Sequence, residues 1–256
     1  MALPSISIIM PALNEEENIG LAMQNALRAM DDLSIQGEVL VVNDGSTDRT
    51  KALIEEAMAR DARIRLLHHD RPQGIGASFW DGVGHARHEI VAMSPGDDEN
   101  DPWEMLRYFH LTEHVDAVVP FIFNKSVRSR FRVFVSFLFR LIINMAFLTN
   151  FNYTNGAIMY RRSILLALNR RVSGFFYQTD ILVRIANRGY LFAEVPASLG
   201  RRRSGKSTAV SFRSLRGVVA GFLSLFVDMY FGEERRKRGI IAKDTLTERR
   251  RIKVDP

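Results

Sequence analysis

Cysteine is absent from the 256-residue chain, which excludes disulfides, thiolate metal sites and cysteine nucleophiles together. A basic leader followed by a long apolar core is also missing at the N-terminus, which enters an alternating apolar run almost at once. No secretory signal is therefore expected, and a cytoplasmic address follows as the default. The chain lacks an uninterrupted apolar run of membrane-spanning length. Phe131 to Phe151 comes near, but Arg132, Arg140 and Asn144 break it, and Leu215 to Phe231 contains Arg216 and Asp228. A charge at the bilayer centre costs roughly 2.5 to 3.5 kcal/mol, so both stretches read as amphipathic helices lying on a membrane or on the core. Internal repeats and low-complexity tracts are lacking too.

What is present is the composition of an ordinary folded protein, 46% hydrophobic and 25% charged, with a net charge of +6. The length suits one large α/β domain, or one such domain with an appendage. Basic residues gather from Lys125 onward, in Arg128, Arg130 and Arg132, in Arg201 to Arg203, in Arg235 to Arg238 and in Arg249 to Arg251, whereas the first 120 residues are acidic by comparison. Such a balance fits a phosphorylated substrate or an anionic membrane surface. Nucleic acid is not expected, because the aromatics of Phe131 to Phe139 recur at helical spacing and read as a packed or lipid-facing stripe. The six histidines show no metal-ligand spacing and read as exposed or structural.

Short apolar runs alternate with helical patterns through the first half. Ser5 to Met10, Glu38 to Asn43, Ile64 to His68, Glu89 to Met93 and Ala117 to Phe121 read as buried strands. Glu16 to Met30, Thr47 to Arg60, Gly74 to Arg87 and Pro102 to His114 read as helices. This predicts an α/β fold with a mostly parallel sheet flanked by helices and a ligand site beyond the C-terminal strand ends. Three loops fall there: PALNEEENI (Pro11 to Ile19), NDGSTD (Asn43 to Asp48) and SPGDDENDP (Ser94 to Pro102). Their carboxylates and amides suit a nucleobase and ribose, and a carboxylate pair suits Mg²⁺ or Mn²⁺ bridging a diphosphate. Taken singly, each loop also reads as a helix N-cap. All three in order point to a shared nucleotide-diphosphate site. A fourth signal competes: GRRRSGKS at 200–207 satisfies the P-loop pattern Gly-x4-Gly-Lys-Ser. It sits late in the chain, crowds Arg201 to Arg203 into the wrap, and leaves too few residues before Asp228 for a helix and a returning parallel strand.

The run PALNEEENI, VVNDGSTD, the turn Arg71-Pro72-Gln73-Gly74-Ile75-Gly76 and the Asp-rich loop resemble the inverting family 2 glycosyltransferases, in the branch similar to dolichol-phosphate mannose synthase. Asn155-Gly156-Ala157, Gly174-Phe175 before Asp180, GYLFAEVP at 189–196 and RSGKS at 203–207 agree, so the resemblance covers residues 5 to 210. It also resolves the P-loop match, since Arg203, Gly205 and Ser207 fit the Arg-x-Gly-x-Ser motif of that family and Gly200 completes the other pattern by coincidence.

The resemblance implies a GT-A type catalytic domain over 1–210; the residues of 211–256 themselves read as an amphipathic helix with a solvated basic tail. It implies a UDP- or GDP-sugar donor held by Pro11, Ala12, Leu13, Glu15, Asn43, Asp44, Arg71, Gly74 and Asp98. It implies a polyprenyl-phosphate acceptor met by Arg128, Arg132, Ser136, Arg202 and Ser207, at a membrane face. Asp97, Asp180 and Arg203 are its candidate catalytic residues, and Asp97 and Glu99 its ligands for Mg²⁺ or Mn²⁺. The family pattern Asp-x-Asp-x-Gln-x-x-Pro is altered here, with Pro95 at the first Asp and Glu99 at the Gln; a slip of one residue would promote Asp98 and Asn100. Asn43 likewise stands where Asp is frequent. A phosphate acceptor needs only orientation, whereas a saccharide hydroxyl would need a base, for which Asp180 is the candidate. A nucleotide-binding module without transfer activity is the third reading.

Overall fold

The fold is that of a computed structural model, which describes residues 4–124, 129–168, 171–198 and 212–254. Seven strands, β1 (Ile6–Ala12), β2 (Gly37–Asn43), β3 (Ile64–His68), β4 (Ile90–Met93), β5 (Ala117–Ile122), β6 (Met159–Arg161) and β7 (Phe192–Ala197), form one sheet in the order β3-β2-β1-β4-β6-β5-β7. The five expected strands form with small shifts at their ends. All pairs are parallel except the two that involve β6, which is antiparallel to β4 and to β5. Every residue of β1 is buried, as a strand covered by helices on both faces requires, and its sequence is accordingly a continuous apolar run. Strands β6 and β7 were not expected. The first has only three residues, too few for a pattern; the second carries exposed Phe192 and Pro196 along a half-covered edge.

The helices are α1 (Ile19–Asp32), α2 (Thr50–Arg60), α3 (Ile75–His85), α4 (Pro102–Leu106), α5 (Arg130–Phe147), α6 (Arg162–Leu166), α7 (Tyr177–Arg188), α8 (Phe212–Tyr230) and α9 (Leu246–Val254). Helix α1 buries Ile19, Ala22, Met23, Ala26, Ala29 and Met30, the spacing of a single helical face. The helix expected over Pro102 to His114 is divided: α4 stops at Leu106 and a 3₁₀ turn runs over Phe109–Glu113. One core lies between the sheet and α1, around Ile6, Ile8, Met10 and Met105. The other lies beneath α3 and α7, around Ile9, Phe79, Val91 and Ile181. A third cluster joins α5 to α8 through Ile143, Phe147, Phe176, Leu225 and Met229.

The tail does not run free in solvent as the sequence suggested. Glu234, Thr245 and Thr247 are buried. The Asp116 carboxylate, at the start of β5, accepts the N–H groups of Leu246 at 2.7 Å and Thr247 at 3.0 Å and caps α9 from outside the helix. An anionic group is favoured there by the unpaired N–H groups and the dipole of a helix N-terminus. The basic residues of this stretch had masked the buried Glu234, Thr245 and Thr247 among them.

Candidate active site

The strand order places β2 on one side of β1 and β4 on the other, so the switch point of the parallel sheet lies between β1 and β4. The three loops singled out in the sequence leave the C-terminal ends of these adjacent strands and are tied together. The Asp44 N–H donates to Ala12 O at 2.8 Å, and the Gly96 N–H donates to Pro11 O at 3.0 Å. Asn14, at φ 54°, receives the Thr47 N–H on its Oδ1 at 2.9 Å while its own N–H donates to Ser46 Oγ at 2.9 Å. The Glu15 N–H donates to Thr50 Oγ1 at 2.8 Å. Burial pushes the Asp48 carboxyl up, but hydrogen bonds from Thr50 and the Glu16 N–H outweigh it and hold the group below its ordinary value. These polar residues therefore build the floor of the site by stitching loop to loop, while Leu13 and Arg71 stay exposed above it.

Asn43 and Asp44 lie deeper than the sequence indicated. Asn43 is fully buried and its Oδ1 accepts the Ser46 N–H at 3.1 Å, closing the turn. The Asp44 carboxylate accepts the N–H groups of Gln73 and Gly74, both at 2.8 Å, and so fixes the turn that carries Arg71. Gly45 has φ 75°, and a Cβ there would lie 2.7 Å from the Arg71 carbonyl carbon, so the two loops touch backbone to backbone. Gly76 is equally constrained: its N–H donates to Ser173 O at 2.9 Å, and a Cβ would lie 2.6 Å from that oxygen.

In the third loop the Asp97 Oδ1 accepts the Glu99 N–H at 3.1 Å. Asp98, at φ 54°, is held from α1 by Asn25, whose amide donates to its Oδ1 at 2.8 Å. Asp101 caps α4 by accepting the Trp103 N–H at 2.9 Å, with Pro102 at the first helical position. Asp98 and Asp101 thus have local tasks. Among the described residues no group of three or more His, Asp or Glu side chains is arranged to hold a metal ion. Asp97 and Glu99 offer hard carboxylate oxygens, a donor set that fits Mg²⁺ or Mn²⁺ only if a diphosphate completes the coordination.

Asp180 is brought elsewhere. It is 1% exposed, and its two oxygens accept from Arg184 Nε at 2.8 Å and Nη2 at 3.1 Å. Arg184 also meets Asp228 at 2.7 Å and Glu234 at 3.1 Å, and Glu234 in turn takes Arg188 at 2.5 Å and 3.0 Å. Burial would lower the Arg184 pKa, but the hydrogen bonds and charges of Asp180 and Asp228 outweigh it and raise the pKa, so the guanidinium stays charged. The resemblance made Asp180 the candidate base for a hydroxyl acceptor; the structure places its carboxylate in an ion network that joins α7 to α8 and the segment after it. Arg132 and Ser136 share the first turns of α5, where Ser129 Oγ caps the Arg132 N–H at 3.3 Å. Arg128, Arg202, Arg203 and Ser207, together with the P-loop-like Lys206, lie outside the described residues.

The family model for glycosyl transferase family 2 matches residues 7–168. Polyprenol monophosphomannose synthase of Mycolicibacterium smegmatis is 28% identical over 216 residues, covering 78% of this chain and 79% of that one. Undecaprenyl-phosphate 4-deoxy-4-formamido-L-arabinose transferase of Pseudomonas fluorescens is 29% identical over 198 residues; the match covers 72% of this chain and spans only 58% of that relative's length. Among solved structures, glucosyl-3-phosphoglycerate synthase of Mycobacterium tuberculosis superposes with a TM-score of 0.68 at 22% identity, covering 87% of this chain and 80% of that one. Another structure of that synthase contains Mn²⁺ and UDP. The loops at the ends of β1, β2 and β4 all fall inside the matched segment, and the chain belongs to glycosyl transferase family 2 and has the GT-A fold.

Proposed function

We propose that this chain is a glycosyltransferase that moves a sugar from a UDP- or GDP-sugar to a polyprenyl phosphate at a membrane surface, with inversion. The observation that carries this reading is the position of an apolar helix pair. Strand β5 runs parallel to β1, so its C-terminal end lies at the same end of the sheet as the three loops, and α5 is the next helix along the chain. Its outer face exposes Phe131, Phe134, Leu138, Leu141, Met145 and Leu148, and α8 exposes Leu215, Val219, Leu223 and Val227 beside it. Soluble monomers seldom show contiguous apolar surface of this kind, and a lipid bilayer would cover it. Among the described residues no helix is long and apolar enough to cross a membrane; the reading has these exposed faces lie on the membrane surface. The two relatives named above, whose names specify polyprenol and undecaprenyl-phosphate products or substrates, support the same acceptor class.

In the reaction the C1–oxygen bond to the nucleoside diphosphate breaks as an acceptor phosphate oxygen bonds to C1 from the opposite side. A phosphate is already anionic near neutral pH, so no general base is required. The bidentate pairing of buried Asp180 with Arg184 supports this choice over a hydroxyl acceptor. Asp97 and Glu99 would hold a divalent cation, which when bound supplies charge neutralisation at the departing diphosphate. The engagement of Asp98 by Asn25 favours this register over the slipped one. Arg71, on the turn fixed by Asp44, adds a second positive charge over the diphosphate, and Arg132 meets the acceptor phosphate at the start of α5.

The test is metal-dependent release of nucleoside diphosphate from a panel of UDP- and GDP-sugars, with and without undecaprenyl or dolichyl phosphate. Release that requires the lipid phosphate is the expected result. Release driven by a saccharide acceptor and not by lipid phosphate would overturn the reading.

A further inference from the structure

His69 follows β3 and is 9% exposed. Its ring is held on both sides: Nδ1 lies 2.7 Å from Asp44 Oδ1 and Nε2 lies 3.1 Å from Asp81 Oδ2. A neutral imidazole carries one N–H and can donate to only one of these oxygens, whereas the protonated ring donates to both. The two carboxylates belong to different elements, Asp44 to the loop after β2 and Asp81 to the outer side of α3. Asp44 is at the same time the acceptor for Gln73 and Gly74 N–H, and Gly45 leaves no gap between its own loop and Arg71. The imidazole therefore ties α3 to the carboxylate on which the 71–74 turn hangs.

We propose that His69 is a positioning residue for donor binding: gripped between Asp44 and Asp81, it fixes the turn that presents Arg71 to the diphosphate. This rests on the nucleotide-sugar reading above. Nothing in the chemistry of a buried structural histidine requires carboxylates at both nitrogens, and burying the Asp44 carboxylate is costly unless the groups around it, the ring among them, answer its charge. The Asp81 side chain is 46% exposed, so its replacement releases one end of the bridge and leaves the core intact.

The experiment compares the wild-type chain with Asp81→Asn and Asp81→Glu by amide hydrogen exchange at Gln73 and Gly74, by calorimetric titration of UDP and of GDP with Mn²⁺, and by thermal unfolding. In Asp81→Asn the two amides should exchange about tenfold faster and the diphosphate that binds wild type should bind about tenfold more weakly, the loss of one charge-assisted hydrogen bond. The melting temperature should stay in place, and Asp81→Glu should restore both effects. Unchanged exchange, or faster exchange with unchanged affinity in a chain that binds the diphosphate, overturns the proposal. If wild type binds neither UDP nor GDP, the donor reading falls, and the bridge itself is upheld or overturned by the exchange rates alone.

Discussion

Asp97 and Asp180 are equally prominent in the sequence and differ in everything the fold adds. Asp97 sits in a loop at the strand ends, partly open and beside Glu99. Asp180 has both oxygens on a buried guanidinium. Replacing Asp97 with Ala should lower kcat/KM for lipid-phosphate-dependent release by about 10²- to 10³-fold, the scale of removing one group that stabilises a departing charge. Thermal unfolding of that variant should match wild type. Asp180→Asn should show the opposite profile. It leaves Arg184 buried with one formal negative partner fewer, and breaking a buried pair costs about 3–5 kcal/mol, read as a lower urea midpoint. Equal unfolding of wild type and Asp180→Asn would show that the network does not clamp α7. A histidine at the end of a strand carries no such signal in the sequence, because Asp44 and Asp81 reach His69 only through the packing of β2 and α3.

At the scale of elements, each of the two apolar stretches has one packed face and one exposed face. The inner faces of α5 and α8 meet through Ile143, Phe147, Leu225 and Met229 and form core. The outer face of α8 exposes Leu215, Val219, Leu223, Val227 and Phe231, one residue every four, at 60%, 51%, 57%, 57% and 78%. Substituting Val219→Glu with Leu223→Glu should abolish co-sedimentation with anionic phospholipid vesicles without shifting the unfolding temperature. Each buried apolar side chain contributes about 1.5–3 kcal/mol, so removing two weakens partitioning by at least two orders of magnitude. Binding equal to wild type would mean that lipid does not cover this face. The charges at Arg132, Arg140, Arg216 and Asp228 made both stretches read as amphipathic; only the packing of one helix on the other decided which sides remain bare.

For the whole molecule, the segment after α8 closes the structure. It returns past α7, where Glu234 meets Arg184 and Arg188, and ends with α9 docked on Asp116 by the N–H groups of Leu246 and Thr247 and by the Thr247 hydroxyl. Thr247→Val preserves shape and removes the hydroxyl donor to a buried carboxylate. It should reduce unfolding free energy by about 1–3 kcal/mol, measured by denaturant titration, whereas a solvated tail would tolerate it. A single cooperative transition that includes α9 is expected for the same reason.

The sequence by itself determined the parallel α/β plan, the five strands of its first half, and the three polar loops that open the site. These features are local: a strand buried on both faces must be apolar throughout, and the chain must turn where Asn, Asp, Gly and Pro follow it. The ordered loops were enough to indicate the family. The tertiary structure alone decided the antiparallel insertion of β6, the buried ion pairing of Asp180, the docking of the basic C-terminal segment, and the bridge at His69. Each of these depends on partners distant in sequence, joined by contacts such as Asp116 with Thr247 and Arg184 with Glu234. No periodicity along the chain encodes such a meeting, because its energy appears only when the separate elements are packed together.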